Sequence, residues 1–500
     1  MAAIAVGVLA LLPIVFVLLQ ASHLGLHEAG TLLWRHRVFE LISNTLKLTI
    51  TATLFSIVLG VAAAWLVCRS DVPFRRVFGM LLVLPLAIPD FVAGYAWVSL
   101  DPGIHGFSGA VLVTTFAYYP FVYLPAVATL SRLDPALEEV GRSLGLSRIQ
   151  VFRRLVLPQL RLAILGGCIV IALHLLAEYG AFSILRYRTF TTEIFAEYNL
   201  GFDGASASLL SLVLLVICVV LLGGDQRLRG RASYASVSGA PARTYTLVRL
   251  GKARFAAFGG LLVLVALSIG VPLSSIVYWL VQGNSSTLPS GSLLAATRTT
   301  LVLAGSAALV TTALALPVAF LAVRHRSTFS ALIERSTYVA RALPGIVVAL
   351  AFVFFATRYA AAVYQSTFLL IAAYVVLFLP LALIAVEAAL AQAPASLEEV
   401  GHSLGKGRLT VLWKVTLPLI GPGLLAAAAL VFLSTATELT ATLILSPTGT
   451  TTLATGFWSY TTGLSYGAAA PYAAVMVALS AIPAVVLSRY LGSGRVTSAT

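Results

Sequence analysis

Long apolar runs recur along the whole chain, and they limit its possible folds more than any other feature. The clearest lie at 52–68, 209–223, 257–280, 367–391 and 470–488. A helix of about 18 or more apolar residues can cross a bilayer. Only 10% of the residues are charged, against roughly 25% in soluble domains. The sequence therefore predicts an all-α polytopic membrane protein.

Twelve apolar segments are candidate membrane spans, six in each half of the chain. They lie near 2–20, 42–68, 77–99, 108–131, 162–185, 205–223, 255–282, 297–323, 336–357, 362–391, 421–445 and 470–488. The first could instead be a cleaved signal peptide. It lacks a Lys/Arg-rich start, however, and its apolar run is long for a signal core. We expect residues 1–20 to be retained as a span.

The net charge of +14 does not indicate nucleic-acid binding, because the basic residues follow the predicted topology. With the N-terminus in the cytoplasm, the cytoplasmic segments hold 25 of the 32 Lys and Arg residues and the outer segments hold seven. Such an excess of Lys and Arg on the inner side orients membrane proteins. We therefore predict a cytoplasmic N-terminus.

The two halves of the chain are related by an internal repeat. Arg69 matches Arg324 and Pro89 matches Pro344 at an offset of 255, while Pro120 matches Pro380 and Glu178 matches Glu438 at an offset of 260. Six spans per half make both halves enter and leave on the same side, which predicts a parallel repeat. The predicted units are a first repeat at 1–223, a flexible basic linker at 224–253 and a second repeat at 254–500.

A polar motif occurs twice within the predicted cytoplasmic segments. "LEEVGRSLGLSRIQVFRRLVLPQL" occupies 137–160 and "LEEVGHSLGKGRLTVLWKVTLPLI" occupies 397–420, with 12 identical positions of 24. Each copy predicts a short helix that ends at a glycine, a second amphipathic piece, and a proline that opens the next span. Asp134 is expected to cap the first helix, and Ser396 to Glu399 fit a capping box in the second copy.

An amphipathic helix resting on lipid headgroups is one interpretation of a single copy. Lipid contact requires only amphipathicity, however, and does not explain why detailed sequence is kept twice within one chain. The duplication instead indicates two similar docking surfaces for a partner of matching symmetry.

The duplicated motif resembles the EAA motif of permease subunits of binding-protein-dependent ABC importers. The resemblance covers essentially the whole chain, as two permease units in tandem, and implies the type I importer permease fold. The sequence departs from the motif at Gly141 and Gly401, where a second alanine is usual. In that family the first motif helix, called the coupling helix, docks on the ATP-binding subunit and transmits closure of the ATPase dimer to the spans.

The resemblance also implies the site residues and the partners. The expected ATPase-coupling residues are Glu138, Glu139, Gly141, Gly145 and Pro158 in the first copy, and Glu398, Glu399, Gly401, Gly405 and Pro418 in the second. The sequence contains no G-x-x-x-x-G-K-[ST] phosphate loop. We therefore expect no catalytic residue, metal or cofactor in this chain, and two separate ATPase subunits that bind ATP and Mg²⁺. An extracytoplasmic binding protein, membrane lipids and a bacterial cytoplasmic (inner) membrane location are also implied.

An ion-coupled secondary transporter with six-plus-six symmetry is the rival interpretation. Such proteins carry ionisable residues within the membrane as ion and substrate sites. The candidates here are Asp90, His174, Glu178, Glu387 and Glu438. This interpretation leaves the duplicated cytoplasmic motif unexplained. A membrane enzyme has less support, because the sequence shows no His or Asp cluster with catalytic or metal-binding spacing, and its three cysteines lie within apolar runs.

The segment after the second motif indicates the substrate class. "TELTATLILSPTGTTTLATGFWSYTTGLSYGAAAPYA" at 437–473 is similar to ferric iron permeases, and the first half has a parallel at 177–198. Ferric iron is therefore the expected substrate, with thiamine or another small solute such as a phosphonate as the alternative. Acidic and phenolic residues at 186–203 are interpreted as a solvated loop that touches the binding protein, rather than as a metal site.

Glu178 and Glu438 are the one acidic pair repeated within the predicted spans. Glu178 lies about 16 residues, or roughly 24 Å, from the cytoplasmic start of its span. A carboxylate within hydrocarbon costs about 3 kcal/mol on insertion scales. Two explanations remain open. Both residues face the bundle interior at the mouth of a substrate path, or each forms hydrogen bonds to a neighbouring or broken helix.

Overall fold

The computed structural model describes residues 2–23, 25–229, 247–282, 290–325, 327–340 and 343–493. Within these ranges the secondary structure is helical apart from one isolated parallel bridge between Ser70 and Val248. The helices of the first half are α1 Ala2–Ser22, α2 Leu26–Leu33, α3 His36–Arg69, α4 Arg75–Leu81, α5 Asp90–Leu100, α6 Gly106–Tyr118, α7 Pro120–Arg132, α8 Pro135–Ser143, α9 Arg148–Val151, α10 Leu157–Ala177, α11 Gly180–Ile184, α12 Phe190–Asn199 and α13 Gly204–Arg229.

The second half repeats this order of elements. Its helices are α14 Ala253–Val265, α15 Val271–Gln282, α16 Ser290–Arg324, α17 Thr328–Val339, α18 Gly345–Tyr359, α19 Thr367–Gln392, α20 Ala395–Ser403, α21 Arg408–Val411, α22 Leu417–Ala436, α23 Thr440–Leu445, α24 Leu453–Thr462 and α25 Tyr466–Ser493. Short π-helical segments occupy Phe152–Val156, Ala266–Gly270 and Leu412–Thr416, and 3-10 segments occupy Leu84–Ala87 and Ala361–Val363.

The described residues provide a helix for each of the twelve predicted spans. Nine helical segments are long and apolar enough to cross a membrane by themselves, and a tenth place is filled by a bent pair. Two shorter apolar helices, Gly345–Tyr359 and Tyr466–Ala481, occupy the remaining places. The fold class inferred from the apolar runs is therefore confirmed.

The predicted span at 77–99 is bent, because the chain turns by 95° between Arg75–Ala87 and Asp90–Leu100. Ile88 is extended, with φ −98° and ψ 117°. The residue before a proline is disfavoured in the helical region, and Pro89 follows Ile88. Proline therefore separates α4 from α5.

The chain packs as two compact units that are not contiguous in sequence. One unit contains Met1–Val38, Phe190–Val216 and Gln282–Pro483, and the other contains Phe39–Thr189, Ile217–Val281 and Ala484–Thr500. The predicted boundaries at 1–223, 224–253 and 254–500 describe the sequence repeat and stay a prediction. The compact units cut across these boundaries because each contains the first span of the other repeat.

The first span of each repeat makes aromatic ring contacts within the unit that contains it. In the unit containing α1, Phe16 lies 5.2 Å from Phe355, centroid to centroid. In the other unit, Phe258 on α14 lies 5.5 Å from Phe78 on α4. The hydroxyl groups of Ser99 and Ser275 also share a hydrogen bond of 2.9 Å there.

Helix α13 continues to Arg229, within the predicted linker at 224–253. Residues 230–246, the larger part of it, lie outside the described residues. At its far end, the Val248 N–H donates to the Arg69 carbonyl at 2.9 Å, and the Leu250 N–H donates to the Asp71 carboxylate at 2.9 Å. The end of the linker is thus tied to the residues that follow α3.

Three spans pack closely next to each copy of the motif: α3, α7 and α10 in the first half, and α16, α19 and α22 in the second. A Cβ on Gly60 of α3 or Gly167 of α10 would lie 2.9 Å or less from atoms of α7, so both helices approach that helix closely. In the second half, Leu390 and Ala393 at the end of α19 and Ile420 on α22 form a buried cluster against α16. The three spans that adjoin each motif copy are therefore closely packed against one another.

Candidate functional site

The first motif helix, α8, begins as predicted. The Ala136 N–H donates to the Asp134 carboxylate at 3.0 Å, and Pro135 occupies the first helical turn. The capping box predicted at Ser396 is wrong, because α20 already begins at Ala395 and Pro394 precedes it without a side-chain cap. Ser396 is therefore inside the helix, where its hydroxyl is not in the capping position.

Both motif helices end at the predicted glycines. Gly145 has a φ of +83° and Gly405 a φ of +75°. The following N–H closes each turn, since Leu146 donates to the Gly141 carbonyl at 3.1 Å and Lys406 donates to the Gly401 carbonyl at 3.2 Å. This is the Schellman arrangement, in which a left-handed residue satisfies the last carbonyls of a helix.

The sequence predicted that Pro158 and Pro418 would each open the next span after a separate amphipathic piece. In the structure the amphipathic piece and the span form one continuous helix. The helix runs continuously over Ile149–Ala177 in the first copy and Arg408–Ala436 in the second. A π-turn precedes each proline, so that Leu157 donates to the Phe152 carbonyl and Leu417 to the Leu412 carbonyl. Because proline has no N–H, it is tolerated next to a π-turn, where the regular i to i−4 hydrogen bonds of the helix are already interrupted.

Gly141 and Gly401 lie where each motif helix touches the helix that follows it. Both are buried. A Cβ on Gly141 would lie 2.6 Å from Leu155 Cδ1, and one on Gly401 would lie 2.9 Å from Val411 Cγ2. The departure from alanine at these positions therefore accompanies a closer helix contact.

The outward surface of the two motif copies is apolar at matching positions and carries an exposed glutamate. Glu139 and Glu399 are both exposed. The exposed apolar pairs, with their exposed fractions, are Val140 (56%) and Val400 (54%), Leu144 (75%) and Leu404 (72%), and Ile149 (70%) and Leu409 (73%). We call the four residues of each copy, the glutamate and the three apolar residues, a coupling surface. Such exposed apolar side chains on a polar segment are typical of a protein–protein contact.

The other glutamate of each motif points inward and contacts an arginine that the sequence analysis assigned no role. Arg69 Nη2 lies 3.6 Å from Glu138 Oε1, and Arg324 Nη2 lies 3.0 Å from Glu398 Oε1. Glu138 and Glu398 thus have different surroundings from their exposed neighbours Glu139 and Glu399, although all four were expected to be ATPase-coupling residues. The correspondence between Arg69 and Arg324 was the signal that could have identified both contacts.

Glu178 and Glu438 lie at helix breaks and cap the short helices that follow. The Ala181 N–H donates to Glu178 at 2.6 Å. Glu438 accepts hydrogen bonds from the N–H groups of Ala441 and Thr442 at 3.0 and 3.2 Å. The breaks explain why the predicted spans at 162–185 and 421–445 end early, at Ala177 and Ala436. Of the two explanations given above, the capping contacts are observed, and the substrate-path role stays a prediction.

The remaining ionisable candidates within the spans have local partners. The Tyr118 hydroxyl donates to Asp90 at 2.7 Å, and His174 packs 4.7 Å from the Phe121 ring. The Tyr338 hydroxyl donates to Glu387 at 2.6 Å.

The acidic residues near α12 also have structural partners. Glu193 forms an ion pair of 2.6 Å with Arg37. Asp203 accepts hydrogen bonds from Ser206 that hold the pKa of its carboxyl below the ordinary value. Among the described residues, no group of three or more His, Cys, Asp or Glu side chains is placed to hold a metal ion.

Comparison with known proteins agrees with this arrangement. The model of the family described as "Binding-protein-dependent transport system inner membrane component" matches twice, at 56–283 and 312–493. The chain is 40% identical over 491 residues to the "Fe(3+)-transport system permease protein FbpB 2" of Haemophilus influenzae, covering 97% of both chains.

Two more distant relatives differ in how much of the chain they match. The "Ferric transport system permease protein FbpB" of Actinobacillus pleuropneumoniae is 25% identical, covering 88% of this chain and 69% of its own. The "Sulfate transport system permease protein CysT" of Salmonella typhimurium is 28% identical over 44% of this chain and 87% of its own. This chain therefore belongs to the family of inner-membrane components of binding-protein-dependent transport systems, with two family units in one polypeptide.

Proposed function

We propose that this protein is the permease of an ATP-driven importer of ferric iron. The observation that carries the proposal is its match, over almost the whole of both chains, to a Fe(3+)-transport permease. The proposal is supported by the coupling surface, which recurs with nearly equal exposure in both repeats. The rival interpretation, an ion-coupled secondary transporter, leaves this duplicated surface unexplained.

The coupling surface is the proposed docking site for separate ATPase subunits. Those subunits bind ATP and Mg²⁺, and this chain contributes no catalytic residue. Val140, Leu144 and Ile149, with their counterparts in the second copy, supply apolar area that a partner groove removes from water. Glu139 and Glu399 add a negative charge at the same place in each copy. Matching charges favour two ATPase subunits that present the same surface to this chain.

One permease chain should assemble with two ATPase subunits, because one chain carries both coupling surfaces. Native mass measurement of the purified complex tests this ratio. We expect one copy of this chain and two ATPase copies. A complex with two permease chains and two ATPases would contradict the proposal, since four coupling surfaces would then compete for two sites.

The proposed orientation has the N-terminus and both motif copies in the cytoplasm. It is supported by the unequal distribution of Lys and Arg, with 25 on the assigned cytoplasmic side and seven on the outer side. An extracytoplasmic binding protein then delivers the substrate from the opposite side. Glu178 and Glu438 are the proposed acidic residues of the substrate path.

Transport into vesicles tests the substrate directly. The complete complex, supplied with its binding protein and ATP, should accumulate labelled ferric iron and not labelled thiamine or sulfate. Sulfate is included because relatives that match single repeats are sulfate permeases. Vesicles without ATP are the control. Accumulation of thiamine or sulfate without iron would show that the proposed substrate is wrong.

A further inference from the structure

Each coupling helix is tied to a distant membrane span through one arginine, which is buried in the first copy and partly buried in the second. Arg69 is the last residue of α3 and is only 2% exposed. Its guanidinium donates to the carbonyls of Leu130 and Leu133, at 3.0 and 3.2 Å, and lies 3.6 Å from Glu138. One side chain thus joins α3, the end of α7 and the first turn of α8.

The second repeat builds the same connection from equivalent residues. Arg324 is the last residue of α16. Its guanidinium donates to the Ala393 carbonyl at 2.8 Å and to Glu398 at 3.0 Å. Arg324, Ala393 and Glu398 correspond to Arg69, Leu133 and Glu138 in the repeat. We call each of these three-helix contacts an arginine clamp.

The chemistry of the clamp requires a guanidinium. The last carbonyls of a helix have no partner within that helix, and a helix end inside a packed structure needs donors from elsewhere. Arginine offers five N–H donors in a rigid fork and stays charged, so it can serve carbonyls and a carboxylate together. Lysine offers a single compact charge and cannot hold the same set of acceptors in the same geometry.

Each coupling helix therefore has two separate connections to the spans. Forward along the chain, Gly141 and Gly401 pack against the helix that continues into α10 or α22. Backward, Glu138 and Glu398 are held by arginines at the ends of α3 and α16. A displaced coupling helix cannot move independently of α3 or α16 while its glutamate remains paired.

We propose that Arg69 and Arg324 are positioning residues that convert movement of the coupling helices into movement of α3 and α16 during transport. This inference rests on the proposed function, because it assumes that ATPase subunits displace the coupling helices. The clamp acts through Glu138 and Glu398, which are the members of the Glu-Glu pairs turned away from the ATPase. Their exposed neighbours Glu139 and Glu399 contact the partner instead.

The test compares variants of the full complex in vesicles, with iron transported per ATP hydrolysed as the readout. Glu138→Gln with Glu398→Gln weakens the link to the coupling helix but leaves the arginine bonds to the carbonyls. Arg69→Gln with Arg324→Gln removes the link to the coupling helix and also the arginine bonds to the carbonyls. We expect transport per ATP to fall at least about fivefold in both double variants, in the range of ordinary coupling energies. Arg69→Lys with Arg324→Lys should be intermediate.

Two further variants make the result specific to the clamp. Arg76 is an exposed arginine in the segment that follows α3, and Arg76→Gln should leave transport per ATP unchanged. Adding Glu398→Gln to Arg324→Gln should cause little further loss, because partners in one interaction are not additive.

Membrane abundance and the amount of co-purified ATPase separate coupling from folding. If the arginine variants are poorly inserted, the glutamate variants decide the question, because they keep the helix ends satisfied. The proposal is overturned if transport per ATP is unchanged in the glutamate variants. It is also overturned if their whole loss follows lost ATPase binding. If the wild-type complex transports another solute, the ferric proposal fails and the same ratio is measured with that solute.

Discussion

Replacing Gly145 and Gly405 together by valine should abolish transport while leaving the chain in the membrane. Both residues have positive φ, and no neighbouring atom lies within 4 Å of a Cβ built there, so the effect comes from the backbone and not from crowding. A left-handed conformation costs an L-residue about 1–2 kcal/mol, and a β-branched side chain is stiffer still. Each 1.4 kcal/mol shifts an equilibrium about tenfold, so open forms of each turn should gain about tenfold in population relative to the closed turn.

An open turn changes the angle between α8 and α9, or between α20 and α21. The coupling surface is then presented wrongly to the ATPase. We expect ATP hydrolysis to lose its dependence on the binding protein and substrate uptake to fall to background. Uptake and ATP hydrolysis are measured on the same vesicle preparation, and membrane abundance shows whether the variant folds.

Asparagine at the same two positions is the matched control. It adds a side chain of similar size, but it tolerates the left-handed region better than other non-glycine residues. Gly145→Asn with Gly405→Asn should therefore retain most of the transport. Full uptake in the valine variant would contradict the docking role of the motif helices. Equal loss in both variants would show that the added side chain on the exposed turn, and not its backbone conformation, causes the loss.

Glu178→Gln combined with Glu438→Gln should reduce ferric iron uptake severalfold. Glutamine keeps the shape and one acceptor oxygen, so the helix caps at Ala181 and Ala441 remain possible. The substitution removes the negative charge that would attract a cation. Membrane abundance and ATPase assembly should be unchanged, and the initial rate of iron uptake is the measurement.

Alanine at both positions separates the charge from the cap. Loss of a capping side chain typically costs about 1 kcal/mol, so Glu178→Ala with Glu438→Ala should also lower the stability of the protein. If the glutamine variant transports iron at the normal rate and the alanine variant does not, the two glutamates serve only the helix breaks. The substrate path then uses other residues.

Most of the architecture could be predicted because it depends on local signals. A long apolar run predicts a membrane span from its own residues alone. A repeat can be recognised from matching residues in the two halves of the sequence. The turn at Gly145 was predictable because only the local backbone decides where a left-handed residue is needed. Position Ser396 shows the limit of the same approach. A capping pattern in sequence does not say which residue begins the helix, and the N-cap of α20 is Pro394, two residues before Ser396.

By itself, the sequence determined the membrane class, the two repeats, the duplicated motif and the family resemblance, since each follows from composition, order or spacing. Only the tertiary structure decided which first span packs in which unit, and which glutamate of each Glu-Glu pair faces an arginine. The physical reason is distance along the chain. Arg69 reaches a carbonyl 61 residues away and Arg324 a carboxylate 74 residues away. Such contacts depend on how whole helices pack, and no local pattern encodes that packing.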